Sequence, residues 1–155
     1  MYSTLIMVVA AICVACTSLA CAAEKDAEAA KIMYSAWLCS IYAELKHDTA
    51  AQDRLFKLGY QNGRQFMDAA LAGTITKEER KAVVPYVVVL LMAGPTPEFV
   101  LGRIFESAAR DAYDDVVAED PNGIPLDPAD YVTSDELKAS IATTKYMKAN
   151  CEILR

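Results

Sequence analysis

Few residues in this chain carry chemistry beyond packing, and the cysteines come first. The five are Cys13, Cys16, Cys21, Cys39 and Cys151. The first three sit in an apolar N-terminal stretch that reads as an export signal, which leaves Cys39 and Cys151. Two cysteines in an oxidising compartment, one near each end of a domain, predict one disulfide. The competing chemistry is a redox or metal-binding thiol pair. Beyond residue 23 there is no C-x-x-C, and His47 is the single histidine of the chain. Zinc takes three or four ligands of the Cys, His or carboxylate type. No metal and no cofactor is therefore expected.

The next constellation is charged. Arg103, Glu106, Arg110 and Asp114 alternate in sign at spacings of three and four. On a helix this predicts an ion-pair ladder along a solvated face. Its functional alternative is a buried Arg103–Glu106 pair beside Gly102. Further on, Asp111, Asp114, Asp115, Glu119, Asp120, Asp127 and Asp130 cluster around one loop. Asp120-Pro121-Asn122-Gly123 echoes a calcium loop, but the register fails. With Gly123 as the sixth loop residue, Ala118 and Ala129 fall where carboxylates are required. The expectation is a solvated acidic patch that could meet a basic partner.

His47 would end the first helix, where a cation suits the helix dipole. As a general base it has no G-x-S-x-G or similar nucleophile elbow beside it. Tyr34, Trp37 and Tyr42 share the first helix at a spacing that suits a core, or an interface if exposed.

The elements that must carry these groups read as helices almost throughout. Residues 24–47 start charged, then run from 32 to 43 without charge, as a central helix would. Thr49-Ala50-Ala51-Gln52 has capping-box form and opens a second helix that ends near Gly73. Leu55, Gly59, Asn62, Phe66 and Ala70 line one face of it. Gly59 and Gly63 cost about 1 kcal/mol each relative to Ala, so close helix approach is expected there. Thr76-Lys77-Glu78-Glu79 is a second capping box. The helix that follows is broken or kinked at Pro85 and reaches about Met92, with a Val-rich buried strand as the alternative. Thr96 caps another helix with Pro97 at its first position. Leu101, Phe105, Ala108, Ala112 and Val116 form its apolar stripe. Three Pro and one Gly make 120–132 an irregular connection, with one helical turn at Asp127-Pro128. Thr133-Ser134-Asp135-Glu136 opens a last helix running to about Ile153. The expected fold is all-α: a single-domain irregular or orthogonal bundle of about five helices, closed by the Cys39–Cys151 disulfide.

Residues 5–16 are unbroken apolar sequence, a length that suits the hydrophobic part of a signal peptide and is short for a spanning helix. Ala20, Cys21, Ala22 and Ala23 then supply small residues for cleavage. This divides the chain into a cleaved signal, 1–23, and a helical domain, 24–155. The segment before the apolar run lacks Lys and Arg, so an uncleaved anchor is the alternative. Lipidation is a third reading, although Cys21 has Ser18 and Cys16 has Cys13 where a lipobox wants Leu.

The 155-residue chain carries a net charge of −6. Phosphate binding needs clustered Lys and Arg, so no nucleic acid is expected. A membrane partner follows only from an uncleaved or lipidated N-terminus. With no catalytic constellation, the chain reads as an exported protein-binding module of the cell envelope, for instance an inhibitor or immunity protein. The alternatives are a carboxylate-dependent envelope hydrolase, or a structural or membrane-tethered envelope component.

Overall fold

The computed structural model describes residues 24–120 and 122–155. The segment expected to be an export signal, residues 1–23 with Cys13, Cys16 and Cys21, lies outside the described residues. Six α-helices and two 3₁₀ turns follow one another: α1 (Tyr2–Leu45), described from Glu24 on, α2 (Thr49–Ala72), α3 (Lys77–Val83), α4 (Tyr86–Leu91), α5 (Pro97–Val117), a turn at Pro128–Asp130, α6 (Asp135–Lys148) and a turn at Cys151–Ile153. Among the described residues no strand forms beyond one isolated bridge between Glu119 and Pro125. No helix among them is long and apolar enough to cross a membrane.

The uncharged run of α1 makes it the centre of the bundle, and α2, α3, α5 and α6 all pack against it. Ala27, Ala30, Met33, Trp37 and Cys39 of α1 are buried, with Leu55, Phe66, Ile104, Ala108, Ala112 and Val116 facing them. Ser40 is the one buried polar side chain described, and its hydroxyl donates to Trp37 O at 2.7 Å. That bond offsets the desolvation a lone buried hydroxyl would cost.

The two α2 glycines mark where helices meet. A Cβ on Gly59 would stand 2.5 Å from Trp37 Cδ1 and Nε1, and one on Gly63 would stand 2.7 Å from Leu101 Cδ2. Only glycine leaves room for these side chains. Trp37 Nε1 donates to Phe56 O at 3.3 Å, and its ring meets Phe105 edge-on at 5.6 Å between centroids.

Caps set most boundaries. Thr76 accepts from Glu79 N, while Glu79 accepts in return from Thr76 N, which completes the capping box. Thr96 caps α5 through Phe99 N, with Pro97 in the first turn. Two caps fall one residue from the expectation. Asp48, not Thr49, accepts from Ala51 N, and Ser134, not Thr133, accepts from Leu137 N. Pro85 separates two helices and does not kink one: Val84 is extended, at ψ 130°, as steric clash before proline favours. The last helix also stops early. Its α part ends at Lys148, Asn150 takes φ 55°, and Cys151 opens the closing turn.

Cys39 and Cys151 are bonded, with Cα atoms 5.5 Å apart at a sequence separation of 112. Both are buried. Arg54 holds the same end, donating to Leu154 O at 2.6 Å and Cys151 O at 3.3 Å.

Candidate functional site

The charged row does not form the expected ladder. Among the described residues no ion pair joins Arg103, Glu106, Arg110 and Asp114. Arg103 turns back instead and donates to Ala93 O at 2.6 Å and Leu91 O at 3.5 Å. These carbonyls lie at the end of α4, where no later turn supplies N–H donors. A fixed carbonyl acceptor holds the guanidinium that a mobile surface carboxylate would hold only weakly. The buried-pair alternative also falls, because Glu106 is exposed.

Arg103, Glu106 and Arg110 instead line an open cavity of about 510 Å³ between α4 and α5, with Leu91, Phe99 and Gly102. Gly102 differs from the α2 glycines, for nothing lies within 4 Å of where its Cβ would be.

The acidic cluster is held by its own neighbours. Tyr34 donates to Asp111 Oδ2 at 2.5 Å, and Tyr42 donates to Asp115, so two phenols of α1 clasp two carboxylates of α5. Burial, then the bond to Asp111, pushes the Tyr34 phenol up to about 12. Burial and the bond to Asp115 raise Tyr42 also. Asp115 faces Lys145 at 3.6 Å. Asp120 Oδ1 accepts from Asn122 N and Ile124 N, both at 2.8 Å, which closes the loop on itself. These bonds, that to Ile124 first, hold the Asp120 carboxyl below its usual range. Asp48, Glu79 and Glu136 are lowered likewise, by Lys46, Thr76 and Ser134 in turn. A general acid near neutral pH needs the opposite shift. His47 is exposed just past α1, at φ 64°. Tyr34, Trp37 and Tyr42 are all buried. They are core, not interface.

The surface that sequence reading missed is on α4. Its sequence, YVVVLL, is apolar all round, which ordinarily marks a helix covered on every side. Val88 is fully buried against the core. One turn of geometry puts Tyr86 and Leu90, four apart, on the opposite side. They are 75% and 59% exposed. Phe99, at the start of α5, is also exposed.

Beside them α3 contributes Lys77, Arg80 and Lys81. With Val84, Tyr86 and Val89 these residues line a second cavity of about 320 Å³. No pattern in the sequence distinguished this outward apolar face from a buried one. The available signal was the Pro85 break, which frees α4 from the course of α3.

Comparison of the chain with family models, with curated proteins and with solved structures finds no match.

Proposed function

We propose that this chain is an exported protein-binding module that holds its partner on the outer face of α4. One observation carries the reading: Tyr86 and Leu90 stand in water on a helix with no charged side chain. Covering two such side chains contributes roughly 1.5–3 kcal/mol each when burial is complete, which is the scale of an interface anchor. Tyrosine suits the role, having a large apolar body and a hydroxyl that can stay wet.

Export is supported by chemistry at both ends of the chain. A disulfide spanning 112 residues persists in oxidising compartments, and the apolar run at 5–16 followed by small residues has the form of a signal.

The test is affinity capture by the full oxidised chain, beside a Tyr86→Ser/Leu90→Ser variant, from the envelope and secreted fractions of the cells that make it. The expected result is one protein retained near stoichiometry by the wild type and lost from a variant of equal melting temperature. Equal retention by the variant, or nothing retained above background, would overturn the proposal.

A further inference from the structure

The α4 face has a charged neighbour. Lys77, Arg80 and Lys81 follow the i, i+3, i+4 spacing and so share one face of α3. That is the face lining the cavity with Val84, Tyr86 and Val89. None of the three forms an ion pair among the described residues. Of the two acids of the same helix, Glu79 lies on the opposite side and Glu78 at the flank of this face, three residues before Lys81. Glu79 is occupied, accepting from the backbone N–H and the hydroxyl of Thr76 at 2.8 and 2.7 Å. Glu78 is exposed and forms no ion pair with Lys81 or any other cation among the described residues. A chain of net charge −6 thus places three cations at the rim of an apolar cavity, next to Tyr86, the most exposed aromatic among the described residues.

We infer that the partner presents an acidic segment carrying an apolar anchor, which enters the cavity between α3 and α4 while flanking carboxylates meet Lys77, Arg80 and Lys81. The inference rests on the reading of α4 as the docking face and names what docks there. The apolar walls of Val84, Val89 and Tyr86 suit one Leu- or Phe-sized side chain. Carboxylates on either side complement the rim and set register and encounter rate.

The same cations could meet anionic lipid. Two observations favour the acidic segment. Lipid-binding clusters commonly gather about four to eight Lys and Arg, more than stand here. A cavity of about 320 Å³ walled by Val84, Tyr86 and Val89 also suits a single apolar side chain, which a lipid headgroup does not present.

The experiment measures fluorescence anisotropy with the full oxidised chain and three labelled peptides. One carries Asp and Glu on both sides of a Leu-Phe anchor. The second replaces its acids with Asn and Gln, and the third replaces the anchor with Ser. Vesicles of phosphatidylglycerol in phosphatidylcholine form a fourth arm. The first peptide should bind best, more weakly as salt rises, and about tenfold more weakly to an Arg80→Glu/Lys81→Glu variant of unchanged melting temperature. An Arg80→Gln/Lys81→Gln variant should fall between. Equal binding of the second peptide, unchanged binding by both variants, no binding of any peptide, or binding confined to vesicles would each overturn the inference. A protein lost from Tyr86→Ser/Leu90→Ser but kept by Arg80→Glu/Lys81→Glu would retain the docking face and remove the acidic partner.

Discussion

The same substitution at two helical glycines should change stability in opposite directions. Glycine in a helix interior costs about 1 kcal/mol relative to alanine, so Gly→Ala is favourable wherever a methyl group fits. At Gly102 nothing lies within 4 Å of the added Cβ, and Gly102→Ala should stabilise by about 0.5–1 kcal/mol. At Gly59 the methyl would meet Trp37 Cδ1 and Nε1 at 2.5 Å and Cε2 at 3.0 Å. Trp37 cannot yield cheaply. It is 1% exposed, packs edge-on against Phe105 and donates to Phe56 O. Overpacking a core costs roughly 1–3 kcal/mol, and a misaligned indole bond about 1 kcal/mol more. Less the helix gain, Gly59→Ala should destabilise by about 1–3 kcal/mol. The two variants should therefore lie about 2–4 kcal/mol apart. Urea unfolding of the oxidised protein, followed by circular dichroism and by Trp37 fluorescence, measures both. The Trp37 emission should also shift in Gly59→Ala and stay fixed in Gly102→Ala. Equal stabilisation by both substitutions would refute the close approach of α2 to Trp37.

Three further outcomes are expected. Replacing Cys39 and Cys151 by Ser releases a loop of 112 residues, worth up to about 4.8 kcal/mol in the chain-entropy model, so the melting temperature should fall by roughly 10–19 °C; an unchanged thermal transition would remove the crosslink's structural role. Stability should fall between pH 10 and about pH 12, because the unfolded Tyr34 phenol ionises in that window while the folded one keeps its proton, and below pH 10 its contribution is intact. Tyr34→Phe should reduce the slope of that part of a denaturation-midpoint profile, leaving the share that Tyr42 contributes, and an unchanged slope would count against the burial of the Tyr34 phenol beside Asp111. Arg103→Ala should cost about 1–2 kcal/mol by freeing Ala93 O and Leu91 O, while Glu106→Gln should cost under about 0.5 kcal/mol; equal losses in the two melting curves would restore the ion-pair ladder.

Which of these features could be read in advance depends on the distance over which each is decided. Thr76 and Thr96 were legible as caps because the bond that makes a cap reaches only three residues ahead. The caps of α2 and α6 slipped by one residue because Asp48-Thr49 and Thr133-Ser134 each offer two competent side chains in a row. The direction from which the chain enters the helix chooses between them. The early end of α6 has a similar cause: continuing it would carry Cys151 onward as helix, whereas Asn150 turns the chain so that Cys151 reaches Cys39.

Sequence alone determined the all-α class, the central uncharged helix, the break at Pro85 and the pairing of Cys39 with Cys151. Periodicity and proline act within a few residues, and the cysteine pair followed from setting aside the three cysteines of the apolar N-terminal stretch. Only tertiary structure decided what Arg103 binds and which side of α4 faces water. Its spacing from Glu106 and Arg110 suits a ladder, yet the acceptors are carbonyls from another helix, placed by the fold. Tyr86, Val88 and Leu90 are equally apolar on paper. Val88 is core and the other two are surface because α4 meets the rest of the bundle on one side only, and no local pattern records which side that is.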